Sequence, residues 1–455
     1  MDNKLEAKKE FEYLINTYVL PLIPTKGLLK CKDLKKPASF SKYISQYKKV
    51  LKIYPCLENP QFFYNIEAEG ENTSLGAALN IISELMKVSQ FIYNDPQFPK
   101  TSYYDMAING YHVYRTNRYN LAFEVGLCNW LGGTTVFRLL EKMRLWSQKT
   151  YEGKKIPFSF IIDVSSSAKG SSDFISFLDS NHSAVFTDGF TSGIALDSKG
   201  HIVKYFSATY EQKDKSGKNG KRVPFAPYRF RDFANKCCSD GKGATWVGII
   251  AQTNGDILIF KNQALIFAKR SGKWVFLNPN KVINQIKKYV SADKNINDQF
   301  AKELYLSILD VAFSHSGGCI AVINEDYKEH VIKQYINHDY LDDEEQSDEK
   351  KKILKRLMIA GLDNEDRIFY QLDRKLRQDL LGLDGATVID TCGKIIGSGA
   401  IVKIEGGSDE GGRTAAAKQL SCYGFSVKIS MDGNVQGFHG ENGEICSVER
   451  IFTML

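Results

Sequence analysis

Two short stretches in the last quarter of the chain carry residue types that can handle phosphate. The first, Leu383-Asp384-Gly385-Ala386-Thr387-Val388-Ile389-Asp390, sets a carboxylate and two small residues at the start of an apolar run. The second, Glu405-Gly406-Gly407-Ser408-Asp409-Glu410-Gly411-Gly412, passes into Arg413-Thr414-Ala415-Ala416-Ala417. Four glycines feeding a helix let backbone N–H groups approach an anion closely. The helix start adds a favourable dipole, and Arg413 can fork onto phosphate oxygens. Asp384 can hold a divalent ion that bridges phosphates. Gly385 and Ala386 leave room for a ring or ribose against the backbone. A tight hairpin and a glycine-rich loop with no ligand produce the same spacing.

The elements that must position these residues follow from periodicity. A strand is predicted from Ala386, turning at Thr391-Cys392-Gly393-Lys394 and returning through 395–404. A helix opens at Arg413 and ends near Tyr423-Gly424; a final strand pair, 425–430 and 435–438, is joined by Met431-Asp432-Gly433-Asn434. Upstream, 295–313 reads as an amphipathic helix ending at Ser316-Gly317-Gly318, and 319–323 as a buried strand. Residues 364–380 read as a helix with Ile368, Leu372 and Leu376 on one stripe. Residues 342–355 (DDEEQSDEKKKILK) suit an exposed helix start, acids first and lysines after.

In order and spacing, LDGATVID, its hairpin and GGRTAAAKQLSCYGFSVKISMDGNVQGF resemble the diadenylate cyclase domain. That family carries an Asp-Gly-Ala motif, an Arg-His-Arg motif opening a helix, and a strand reading like VKIS with an acidic turn. The resemblance covers about 150 residues and implies a site for ATP or a cyclic dinucleotide. It implies nucleotide-binding roles for Asp384, Gly385, Ala386, Ser408, Gly411, Gly412, Arg413 and Thr414. It makes Asp384 the ligand of Mg²⁺ or Mn²⁺ and the catalytic group if the domain is active. Asp384, Gly385 and Ala386 match the first motif, and Arg413 matches the first arginine of the second. Thr414 stands in place of the histidine and Ala415 in place of the second arginine. The GGRTAAA variant also resembles a branch regarded as nucleotide sensors in bacterial signalling or conflict systems. Two functions follow: a binding module passing a nucleotide signal to a homo-oligomer partner or effector protein, or a metal-dependent nucleotidyltransferase making cyclic di-AMP from ATP. The altered second motif favours the first; the retained aspartate favours the second.

The fold class expected for the whole is multi-domain α+β and α/β. A mainly helical region spans 1–150, a β-rich middle domain 151–290, and a diadenylate-cyclase-like α/β domain with a central mixed sheet 291–455. Residues 5–22, 74–93 (Ser74 as cap) and 134–146 carry helical spacing. Short β-type runs begin near 156: 157–164, 183–186, 194–196, 202–206, 246–251, 257–260, 264–268 and 273–277. Turns at Asn254-Gly255-Asp256 and Arg270-Ser271-Gly272 join some of them as hairpins. Residues 212–222 (QKDKSGKNGKR) are expected as a mobile loop. Phe225-Ala226-Pro227 reads as a strand-to-helix junction.

Composition sets the outer bounds. Hydrophobic residues make up 43% and charged residues 25% of 455, as in a globular protein of two or three domains. No apolar run reaches the ~20 residues of a membrane span. The nine cysteines form no CxxC pair, so reduced thiols and a cytoplasmic location are expected rather than disulfides or zinc. Nine lysines between 26 and 52 supply much of the net charge of +7. They read as the solvated face of a helical region, and a contact with nucleic acid has no motif behind it. Ser314-His315-Ser316 lacks a GxSxG elbow and reads as a helix end; His112 is isolated. No P-loop, kinase set or HExxH is present.

Overall fold

The computed structural model describes residues 8, 11–23, 25–34, 39–40, 42–47, 50–55, 60, 62–68, 76–94, 107–108, 111–112, 118–146, 148–165, 172–180, 183, 186–208, 224–237, 245–291, 293–341, 368–404, 411–440, 443 and 448–454. The segments 212–222 and 342–355, Ser74 and Ser408 lie outside the described residues. The fold is of the α+β kind, with helices and both antiparallel and mixed sheets. Two compact units emerge. The first holds Met1–Ala208, Cys237–Asn262 and Phe267–Phe276; the second holds Thr209–Lys236, Gln263–Ile266 and Leu277–Leu455.

The N-terminal region corrects the helical expectation for residues 26–52. Strands β1 (Thr25–Asp33), β2 (Ile44–Tyr47), β3 (Val50–Ile53) and β4 (Phe62–Ala68) form a sheet ordered β1-β4-β3-β2. The reason is a period of two. Leu51 and Ile53 are buried while Val50 and Lys52 are not, and Phe62, Tyr64 and Ile66 alternate with Phe63 and Asn65. The 5–22 segment ends in a π-helical turn, Ile15–Val19, and a 3₁₀ turn, Leu20–Leu22. Helices α1 (Gly76–Asn94), α2 (Arg118–Leu131) and α3 (Thr134–Trp146) follow, with two-residue hairpins β5–β6 (Ala107–Ile108, Tyr111–His112) and β7–β8 (Thr150–Tyr151, Lys154–Lys155).

Next come β9 (Phe158–Asp163), β10 (Ser172–Asp173), α4 (Phe174–Asp179), β11 (Ser192–Leu196), β12 (His201–Ser207), α5 (Arg231–Lys236), β13 (Trp246–Ala251), β14 (Ile257–Lys261), β15 (Ala264–Arg270) and β16 (Lys273–Phe276). The eight strands make one sheet ordered β10-β12-β11-β9-β13-β14-β15-β16. The 183–186 run is no strand at Ser183. That hydroxyl is buried and donates to the carbonyls of Leu178 and Ser180, closing the end of α4.

The second unit carries the candidate site. Its elements are α6 (Pro279–Ile286), α7 (Lys294–Ser314), β17 (Gly318–Ile323), α8 (Lys328–Tyr335), α9 (Arg374–Leu381), β18 (Ala386–Asp390), β19 (Ile395–Ala400), α10 (Gly412–Ser421), β20 (Gly424–Ile429), β21 (Val435–His439) and β22 (Glu449–Met454). Six strands order as β19-β18-β17-β20-β21-β22, with β17 and β18 parallel and the other neighbours antiparallel. On one face, Val331 and Tyr335 of α8 and Ala417 and Leu420 of α10 pack on Cys319, Ala321, Ala386 and Val388. α7 packs with β20, and α9 with α7, β17 and β18. Helix α9 is shorter than the 364–380 expected. Asp373 accepts from the amides of Lys375 and Leu376, so the helix starts there, while Ile368 bridges to Lys394 as β structure.

Residues Leu304 to Phe313 of α7 are buried without a break, so any charge among them needs a partner. Asp310 has several. Its carboxylate accepts from Arg374 Nε (2.7 Å) and Nη2 (2.7 Å) and from the Tyr228 amide (2.6 Å), while Arg374 Nη2 also donates to the Ala226 carbonyl. Arg377 likewise reaches Glu303, the Ser307 hydroxyl and the Leu372 carbonyl. Asp310→Ala strands the Arg374 guanidinium in the interior. The expected loss is about 3–5 kcal/mol, read as a fall in the urea midpoint of the unit's unfolding transition.

Candidate functional site

The site grows from a mismatch of lengths. Ser426 of β20 is buried beneath α10, its hydroxyl donating to the Ala417 carbonyl at 2.6 Å. Ten helical residues rise about 15 Å, whereas six strand residues rise about 20 Å. The strand therefore runs out from under the start of the helix. The first residues of β17 and β18 and the last of β19 and β20 gather at that end. Together they enclose a cavity of about 540 Å³.

Most of the residues singled out in the sequence line this cavity. Asp384 and Gly385 contribute from the start of β18; Gly411, Gly412, Arg413 and Thr414 contribute from the start of α10. Among the described residues no side chain caps the helix; the Gly411 carbonyl takes the Thr414 and Ala415 amides. Gly411 and Gly412 stand in open space, so an anion can approach the first-turn amides. Arg413 Nη2 lies 3.8 Å from Asp384 Oδ1, too long for a hydrogen bond, and the Asp384 side chain is 92% exposed. Arg413 Nε is buried and finds no acceptor among the described residues. Arg413 thus lines the cavity with only a loose ion pair to Asp384.

Ala386 is not in the lining. It is fully buried in the core with Val388 and Ala400. The room expected beside Gly385 belongs to the chain itself. Gly385 has φ +98°, and a Cβ there would sit 2.6 Å from the Gly399 carbonyl carbon and 2.7 Å from the Ala400 oxygen. The glycine is required by the close approach of β19.

Other wall residues carried no signal of their own in the sequence. Lys428, Ser430 and Cys319 line the interior, with Ile401, Val402 and Met431 as apolar wall. Alternation along VKIS is the signal that could have placed Lys428 and Ser430 on one face with Ser426. Gly317 (φ +66°), read as a helix end, also makes room for the arginine: a Cβ there would lie 3.2 Å from Arg413 Nη1. Burial pushes the Cys319 thiol up to about 12, against the opposing pull of Arg413, so it is no nucleophile at neutral pH. Ser314 and Ser316 share a hydrogen bond at the end of α7, where His315 takes a left-handed conformation; they form no triad.

Among the described residues no three His, Cys, Asp or Glu side chains converge on one point. Asp384 offers one carboxylate, which suits Mg²⁺ or Mn²⁺ arriving with phosphate oxygens and water rather than an ion held by protein alone. Six described cysteines, Cys31, Cys128, Cys237, Cys319, Cys392 and Cys422, are unbridged, and no described helix is long and apolar enough to cross a membrane. No protein-family model matches the chain, and no curated protein is significantly similar to it. What the cavity can do follows from its own lining.

Gly385→Ala tests the tight β18–β19 contact. Both its φ and its neighbours forbid the methyl group, so a loss of about 2–4 kcal/mol is expected from strain and displaced backbone. Thermal unfolding beside a Gly412→Ala control, where no described atom crowds the added methyl and φ is ordinary, measures it.

Proposed function

We propose that the second unit binds a nucleotide, ATP or a cyclic dinucleotide, by its phosphates and serves as a sensor domain. The observation that carries this reading is Arg413, which stands at the start of α10, meets Asp384 only loosely at 3.8 Å and lines a cavity large enough for a small ligand. The resemblance of LDGATVID and GGRTAAAKQLSCYGFSVKIS to the diadenylate cyclase domain supports the choice of ligand. In this reading Arg413 forks onto a phosphate, the amides of Gly412 and Arg413 add donors, and Ile401, Val402 and Met431 supply apolar surface for the rest of the ligand. A second copy of the chain or an effector protein then receives the signal.

The exposed Asp384 carboxylate favours a second reading, a nucleotidyltransferase making cyclic di-AMP. A bound Mg²⁺ or Mn²⁺ would neutralise charge on the transferring phosphate. Asp384 would hold it, and Arg413 would steady the phosphate oxygens.

Titration calorimetry of the full chain with cyclic di-AMP and with ATP tests the first reading. Arg413→Ala is expected to weaken binding by about 1.5–3 kcal/mol, ten- to a hundredfold. No heat with either nucleotide would sink it. Incubation with labelled ATP and Mn²⁺ tests the second: cyclic di-AMP formed by the native protein and lost in Asp384→Ala would establish the enzyme.

A further inference from the structure

The cavity holds a second cation. Lys428 sits on β20 between Ser426, which α10 covers, and Ser430, which lines the cavity; its own side chain is half-buried in the wall. Its neighbours across the ladder are Cys319 on β17 and Gln436 on β21, and neither offers a carboxylate. Among the described residues the ammonium has no hydrogen bond or ion pair. A half-buried lysine beside apolar wall loses part of its hydration without gaining a counter-charge, which is unfavourable until an anion arrives.

The charge of the described lining narrows what that anion is. Among the described lining residues, Arg413 and Lys428 contribute two positive charges and Asp384 one negative charge, a balance of plus one. Asp384 stands only loosely against Arg413, at 3.8 Å, and cannot neutralise both cations. A phosphodiester carries one negative charge on each phosphate. A triphosphate brings several more than the lining meets, and Asp384 repels the excess unless a divalent ion accompanies it.

We infer that Lys428 is a specificity-determining residue of this site: with Arg413 it holds a phosphodiester anion of low charge, such as a cyclic dinucleotide, in preference to a metal-free nucleoside triphosphate. This rests on the nucleotide-binding reading of the cavity. Arg413 supplies the planar fork at the helix start, and Lys428 supplies a point charge from the sheet. The two come from different elements, so they can meet separate phosphate oxygens of one ligand.

The test uses the full chain at fixed ionic strength, titrated with cyclic di-AMP, with ATP in EDTA, and with ATP and Mg²⁺. The native protein is expected to bind cyclic di-AMP at least roughly tenfold more tightly than ATP in EDTA. Lys428→Gln is expected to weaken cyclic di-AMP binding roughly tenfold or more, and Lys428→Arg to keep most of it. Lys428→Met, with similar reach and no charge, gives the same readout should the glutamine disturb packing. Circular dichroism of each variant checks that the fold is retained. Unchanged affinity in both Lys428→Gln and Lys428→Met, alongside a loss in Arg413→Ala, overturns the assignment of Lys428 alone. Equal affinity of the native protein for metal-free ATP overturns the charge preference. Absence of binding by any of these nucleotides overturns the underlying reading as well.

Discussion

The second unit depends on one geometric constraint: helix α10 covers only part of the strands it packs on. Its inner side, through Ala417 and Leu420, is pinned to β17 and β18 by apolar contact, and the Ser426 hydroxyl ties β20 to the Ala417 carbonyl. Those contacts fix where the helix begins. Had α10 started a turn earlier, its own backbone would fill the space above Lys428 and Ser430. Starting at Gly412, it leaves a cavity beside the ends of four strands and points its positive pole at it. Cavity, dipole and cations thus come from a single packing arrangement.

The sheet below must be held rigidly for that arrangement to persist. Parallel β17 and β18 are buried along their whole length, and α7 is buried over ten successive residues. Two arginines of α9 meet Asp310 and Ser307, which α7 carries inside. These ion pairs do not by themselves make the unit more stable than apolar packing would. They fix the register of α9 against α7, and the residues after α9 lead directly to Asp384. The position of the cavity's one described carboxylate is thus tied to a buried charge network.

Much of this was legible in the sequence because the signals were local. ATVID reads as a buried strand, Thr391–Lys394 as its turn, and the step from Gly411-Gly412 into TAAAK as a helix start, and each lies within a residue or two of the element formed. Signals that depend on distant partners were read less well. Residues 364–380 carry helical spacing, yet Asp373 caps a helix inside that window and Ile368 goes to a β-bridge. The lysines of 26–52 drew attention to charge, while Leu51 and Ile53 alternated beneath them as strand. Gly385 was legible as a position needing a small residue, but the occupant is the backbone of Gly399 and Ala400, fourteen and fifteen residues on. Lys428 looks like any strand lysine until the end of α10 is placed. Ser408 lies outside the described residues.

The two positions at which the chain differs from the resembled Arg-His-Arg motif are both largely buried. Thr414 and Ala415 are 7% and 4% exposed; Thr414 borders the cavity, whereas Ala415 does not line it. An arginine introduced at 415 would have to desolvate its charge, a cost of several kcal/mol without a carboxylate to meet it. The packing of α10 thus leaves no room for a second cation at position 415. The positive charge that remains comes from Arg413 at the first turn and from Lys428 on the neighbouring strand. Two cations on separate elements suit holding a finished diester better than stabilising the charge that develops on a departing pyrophosphate, where donors must converge on one group. The packing of α10 thus supports the proposed recognition role over the proposed turnover, for which the argument is Asp384.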